Sequence, residues 1–230
     1  MSVRNAQKGY GLRRGQTIAL FVVMSLLGSG CTTMAKDQRL TVSPGSAVAG
    51  QKAPTSSTNS DVVIKDVNGK EHRPLAEGGE KGTLFFFVLH DCPAANSYAP
   101  EMNRIAAKYG AKGVRSFLVY VESDLGEAEA RKHTREHQIG FPALIDRRQE
   151  LVKVTGATIS PEVALVSAQR RVVYHGRIDD RFVALGKRRV EPTTRDLREA
   201  LDAMLEGKPV PNPVTKAVGC YLPVKQQDQK

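Results

Sequence analysis

The chain has 230 residues, 40% of them hydrophobic and 25% charged, which fits one globular body with appendages and excludes a disordered or polytopic membrane protein. Its formal charge of +10 suggests a nucleic-acid partner, yet Arg4, Lys8, Arg13 and Arg14 and no acid fall in the first thirty residues. That leaves 30 basic against 24 acidic residues, +6, for the remainder. With no Trp and no basic stripe, nucleic acid is set aside as a partner.

Residues 1–30 read as an export signal: a basic start ending at Arg14, an apolar stretch from Ile18 to Leu27, then Gly28-Ser29-Gly30 before Cys31. The run Leu27-Gly28-Ser29-Gly30-Cys31 resembles the bacterial lipobox, which implies that Cys31 carries lipid and becomes the mature N-terminus. Gly28 stands where Leu is commoner. Two other outcomes stay open, an uncleaved anchor over the charge-free Thr17 to Ala35 and ordinary cleavage near Ala35. All three place the body outside the cytoplasm, facing the periplasm or its equivalent, and the lipid reading attaches it to the bacterial membrane. Of the 3 cysteines, Cys92 and Cys220 then remain as the thiols of an oxidising compartment.

Residues 31–59 are rich in Ser, Thr, Pro and Gly without an apolar period and read as a tether. A domain over residues 60–208 follows, beginning with a short strand and hairpin at Val62-Val63-Ile64 and Asn68-Gly69. Leu84 to Leu89 is a continuous apolar run, expected as a strand buried on both faces. Pro93 suits the first position of a helix in which Tyr98, Met102, Ile105 and Tyr109 recur on one side. Gly110 closes that helix and Pro100 is expected to kink it.

Val114 to Val121 reads as a second buried strand and Glu127 to His137 as a charged, solvated helix. Phe141 to Ile145 is a short strand, Gln149 to Thr155 a short helix, and Val163 to Val166 with Val172 to Arg177 a hairpin. The last helix is expected to start after Pro192, capped by Thr193 and Asp196, with Leu197, Leu201, Met204 and Leu205 as its apolar face. Residues 209–230 form a tail held extended by Pro209, Pro211 and Pro213 and carrying Cys220. This order of elements predicts an α/β fold, a sheet with helices on both faces.

Cys92 sits where a buried strand gives way to a helix. There, unpaired amides and the positive end of the helix dipole favour thiolate, the nucleophile of disulfide exchange and peroxide reduction. His90 is near enough in sequence to support a thiolate, or to join Cys92 and Cys220 as a soft-metal ligand. His133 and His137, four apart, sit among Lys132, Arg135 and Glu136 and read as part of a solvated face rather than a metal site. Arg177, Asp179, Asp180 and Arg181 read as a solvated ion-pair cluster.

Three stretches carry a family resemblance: Phe86-Phe87-Val88-Leu89-His90-Asp91-Cys92-Pro93 with Tyr98-Ala99-Pro100, Phe141 to Asp146, and Ile159-Ser160-Pro161-Glu162-Val163. Together with Tyr174 to Asp179 they resemble the redoxin branch of the thioredoxin-like superfamily, near the alkyl hydroperoxide reductase and thiol-specific antioxidant group. The resemblance implies a thioredoxin-like three-layer sandwich with a central mixed sheet. It also implies Cys92 and Pro93 at the active-site position, Pro161 as a cis-proline, and Ser160 offering backbone bonds to an extended partner.

Two departures stand out. Ala95 occupies the place of a second local cysteine, and Leu89 the place of a peroxide-holding threonine. The leading expectation is an envelope-tethered thiol redox protein in which Cys92 attacks a protein disulfide or a peroxide and Cys220 is a candidate resolving thiol. A structural Cys92–Cys220 disulfide and an unrelated tail thiol stay open. So do a Cu(I)-handling module and a non-catalytic binding module with a degenerate site. No cofactor is expected.

Overall fold

A computed structural model of the chain describes residues 62–76 and 79–223, so the segments read as an export signal and a tether, with Cys31, lie outside the described residues. The organising element is β3 (Gly82–Val88), a run of large apolar side chains buried along its whole length. Side chains alternate across a strand, so Leu84 and Phe86 face one side of the sheet and Phe85 and Phe87 the other. All four are fully buried, which requires cover on both faces.

Around β3 the chain builds a five-stranded mixed sheet with β3 as its central strand. From β3 it enters α1 (Pro93–Gly110), returns through β4 (Val114–Tyr120) parallel to β3, crosses α2 (Glu127–Glu136), and adds β5 (Ala143–Ile145) parallel to β4. After α3 (Glu150–Thr155) and the two-residue strand Ile159–Ser160 it re-enters the sheet on the other side of β3. There β7 (Glu162–Ser167) runs antiparallel to β3, and β8 (Val172–Gly176) antiparallel to β7. These are the α/β class and thioredoxin-like fold anticipated from the chain.

We number the remaining pieces in chain order. β1 (Ile64–Lys65) and β2 (Glu71–His72) form an N-terminal hairpin whose Asp66 bridges Leu144 of β5. Ile159–Ser160 is β6. A second hairpin, β9 (Phe182–Ala184) with β10 (Lys187–Arg188), precedes α4 (Asp196–Leu205), and the last element among the described residues is β11 (Cys220–Tyr221). Helices α1 and α4 lie against each other through the buried Glu101, whose carboxylate takes Arg198 at 2.6 Å and Arg104 at 2.8 Å.

Helix α1 has the expected bounds and continues through Pro100, which removes one backbone donor without ending the helix. The expected cap of α4 is not formed. The helix starts at Asp196, and Thr193 instead donates its backbone N–H and hydroxyl to the buried Asp180. The reading of residues 177–181 as a solvated cluster is likewise corrected. Asp179 and Asp180 are buried, Asp179 accepting the Tyr98 hydroxyl, while Arg177 pairs with Asp196 at 2.8 Å.

The proline-bearing tail runs back along the domain. Thr215 donates its N–H to His175 O at 3.0 Å, and His175 donates to Pro213 O at 2.9 Å. A Cβ on Gly176 would lie 2.2 Å from Thr215 O, so only glycine admits this approach. Tail and β8 are thereby joined before the chain reaches Cys220.

Phe86 lies between Leu118 and Val163 on the neighbouring strands, its ring 5.7 Å from that of Phe141. Phe86→Ala is expected to destabilise the domain by about 3–5 kcal/mol. Denaturant unfolding monitored by far-UV circular dichroism measures this.

Candidate redox site

The C-terminal ends of β3 and β4 and the start of α1 define one end of the sheet, where open α/β folds place their chemistry. Cys92 is the residue before α1, in extended conformation, with Pro93 entering the helix behind it. Its side chain is 1% exposed. Helix α1 has no acidic residue in its first turn, so nothing there opposes a negative charge on Cys92.

Ser160 and Pro161 face this cysteine across the sheet end. The Ser160–Pro161 peptide bond is cis. Cys92 Sγ lies 3.1 Å from Ser160 O, and the Ser160 hydroxyl accepts the Leu89 N–H at 2.8 Å, tying the end of β3 to β6. The carboxylate of Glu162, buried just beyond Pro161, accepts the N–H groups of Thr158 at 2.6 Å and Ile159 at 3.2 Å. That fixes the short β6 although it has little ladder of its own.

Into this corner the tail brings its cysteine. β11 pairs antiparallel with β6, Cys220 opposite Ser160 and Tyr221 opposite Ile159. The two sulfurs are 2.7 Å apart, both thiols free, with Cys220 donating to Cys92. The two cysteines, 128 positions apart along the chain, are brought together by the β11–β6 pairing and by the tail's bonds to β8.

Their protonation is asymmetric. Burial works against a charged Cys92, but hydrogen bonds from the Cys220 thiol, the Ala95 amide and Ser160 outweigh it and bring its pKa below the usual thiol value. Cys220 is pushed up to about 12 by burial, by its role as donor to Cys92, and by the nearby charges of Cys92 and Asp91. Within the pair, negative charge is therefore favoured on Cys92 over Cys220.

A polar network unseen in the sequence backs α1. His90 places Nδ1 2.9 Å from a Glu122 oxygen and Nε2 3.4 Å from Glu129. Burial disfavours its charge, but the Glu122 carboxylate raises its pKa overall. Asn96 donates to His90 O at 3.0 Å and meets His133 Nε2 at 2.9 Å, while His133 Nδ1 meets the Tyr120 hydroxyl at 2.7 Å. His133 is thus buried, not part of a solvated face. Burial and the neighbouring His137 and His90 lower its pKa to about 4.

The alternative metal set of Cys92, His90 and Cys220 is not assembled, because both ring nitrogens of His90 face carboxylates. Among the described residues, the group with metal-ligand spacing is His90, Asp91 and Glu122. Glu122 and Asn96 carried no motif. The signal that could have found Glu122 is its place just past β4, at the same sheet end as Cys92.

A cysteine at a helix start, faced by a cis-proline across a mixed sheet, defines a thioredoxin-fold protein. Residues 48–182 match the Redoxin family model, and the chain belongs to that family. Thiol-disulfide oxidoreductase ResA of Bacillus thuringiensis subsp. konkukian is 25% identical over 124 residues, 54% of this chain and 66% of that one. The ResA of Geobacillus thermodenitrificans is 28% identical over 116 residues, 50% of this chain and 65% of that one, so the chain spans just under two thirds of these relatives.

Two solved structures align over most of the chain. An uncharacterized conserved protein from Geobacillus kaustophilus has a TM-score of 0.65 and 26% identity, covering 77% of this chain and 95% of its own. A hypothetical protein from Sinorhizobium meliloti has a TM-score of 0.63 and 26% identity, covering 76% and 98%.

Two outcomes are expected. In Cys220→Ala the thiolate of Cys92 loses a donor, so the midpoint of its alkylation rate against pH moves upward, as a pH series with iodoacetamide reads. For His133 the folded pKa is below the ordinary 6.5, so between about 6.5 and 4 the unfolded chain binds the extra proton. Stability therefore falls as pH drops through that window, and in His133→Gln it falls less, as urea midpoints at several pH values measure.

Proposed function

We propose that the chain is an extracytoplasmic thiol–disulfide oxidoreductase in which Cys92 is the exchanging thiol and Cys220 the resolving one. The observation that carries this reading is the seating of Cys220 on Cys92 by the β11–β6 pair, which supplies from the tail what Ala95 denies locally. The depressed pKa of Cys92 and the name borne by the ResA relatives support the same chemistry. Disulfide exchange is favoured over peroxide reduction because Leu89 offers a buried apolar side chain where a peroxide needs a polar partner.

The exchange runs in two steps. Cys92 thiolate attacks one sulfur of a partner disulfide, a Cys92–partner bond forms, and the partner's other sulfur leaves as thiolate with the electron pair. Cys220, losing its proton to the departing sulfur or to water, then attacks Cys92 Sγ and releases the second partner sulfur. The partner disulfide is reduced to a dithiol and the Cys92–Cys220 pair oxidised to a disulfide. An external protein dithiol returns the pair to the reduced state by the same steps in reverse.

The N-terminal segment supports secretion with a lipid on Cys31 and attachment to the membrane. Among the described residues no helix is long and apolar enough to cross a membrane.

Mild oxidation of the purified chain is expected to remove both free thiols and two hydrogens of mass per molecule, with tryptic mapping joining Cys92 to Cys220. Retention of both thiols would overturn the reading. With a disulfide-bearing protein substrate, Cys220→Ala is expected to accumulate a covalent complex through Cys92, and Cys92→Ser to form none. For the anchor, radiolabelled fatty acid is expected to enter the full chain in bacteria and not Cys31→Ala.

A further inference from the structure

We propose that β11 is a built-in competitor for the partner strand: it occupies the β6 edge beside Cys92, and a partner reaches Cys92 only when residues 219–223 swing away. This rests on the exchange reading above and assigns the regulation of that site. With β11 seated, the backbone of β6 is taken by Cys220 and Tyr221, and Leu222 donates its N–H to Thr158 O at 2.9 Å. Cys92, 1% exposed, lies under this cover. No second extended peptide fits alongside Ser160 while it stands.

The strap is held at both ends and lightly in between. Upstream, Pro213 and Thr215 are bound to His175 on β8, away from the sulfurs. Downstream, Gln149 Nε2 donates to Pro223 O at 2.7 Å and to Val121 O at 3.1 Å. Between them a two-residue ladder and the buried Leu222 do the holding, while Tyr221 is 82% exposed. Such a segment opens locally at far less cost than the domain unfolds. The upstream anchor keeps it tethered when it does.

Because β11 and a partner strand need the same edge, resolution and ejection become one event. When β11 re-seats, it brings Cys220 onto the Cys92–partner disulfide and removes the backbone bonds that held the partner. Cys220 attacks Cys92 Sγ, the partner sulfur leaves as thiolate, and the new Cys92–Cys220 bond locks the strap shut. Reduction by an external dithiol unlocks it.

Gly219 offers a variant that touches neither sulfur. A Cβ there would lie 1.9 Å from Ser160 O, and its backbone is outside the left-handed region, so Gly219→Ala obstructs the seating of β11 on β6. Gln149→Asn is a second, independent variant: asparagine tolerates the left-handed φ of 55° at this position but falls short of Pro223. The probe is a linear peptide carrying one cysteine as a mixed disulfide with an aromatic thiol, whose release is followed by absorbance on the reduced full chain. Both variants are expected to react with it about tenfold faster than wild type, as loss of one or two net hydrogen bonds permits, and to close the internal disulfide more slowly.

Amide hydrogen exchange at Leu222 is expected to be slow in the oxidised chain, faster in the reduced chain, and fastest in reduced Gly219→Ala. Equal peptide rates in all three proteins, with the Cys92–Cys220 disulfide still forming, would overturn the strap and leave the exchange reading standing. A strap that opens by hydrogen exchange in a chain whose thiols never pair would support the gate and overturn the exchange reading. Leu222 protection unchanged by redox state and by Gly219→Ala would overturn the strap whatever the chemistry.

Discussion

The antiparallel contact between Cys220 and Ser160 is the constraint on which the site depends. A two-residue strand beside a proline cannot hold itself, and β6 is fixed from three directions: by the carboxylate of Glu162, by the Ser160 hydroxyl under Leu89, and by β11. Each contact is modest in water-exchanged terms, about 1 kcal/mol for a typical hydrogen bond. Together they place a backbone edge, a cis-proline and two sulfurs in one corner. The sheet provides the rigidity behind them, since β3 delivers Cys92 from a fully buried run of phenylalanines.

Electrostatics follow from the same arrangement. Burial works against charge on Cys92, and the hydrogen bonds from Cys220, from the Ala95 amide at the start of α1 and from Ser160 lower its pKa nonetheless. Cys220 is pushed the other way, by burial, by donating to Cys92 and by the charges of Cys92 and Asp91. The His90–Glu122 pair and the neutral His133 sit behind the helix and hold its first turn through Asn96, at a distance from the sulfurs. This division of labour explains why a histidine two residues from the cysteine does not turn to meet it.

What the chain discloses in advance depends on length and repetition. Eighteen residues from Pro93 to Gly110 carry enough apolar period for α1 to be read with its true ends. The unbroken burial of β3 was equally legible from Leu84 to Leu89. β6 and β11 have two residues each, too few for any period, so the pairing that seats Cys220 was visible only as an open question. Its charged helical neighbours make His133 read as solvated, since one-dimensional charge does not reveal that this position faces Tyr120. Thr193 reads as a cap in the sequence because its acceptor, Asp180, is 13 residues away along the chain.

The distance along the chain between the two sulfurs has a consequence for what kind of couple they make. A dithiol within one turn of a helix keeps its partners close even in a disordered chain, so its chemistry partly survives denaturation. Here the partners are 128 residues apart and meet only through the completed sheet, the tail's path along β8 and the last described strand. An unfolded copy holds two ordinary, mutually distant thiols. The couple is therefore a property of tertiary structure: the two sulfurs become neighbours only when β11 finds its edge on β6.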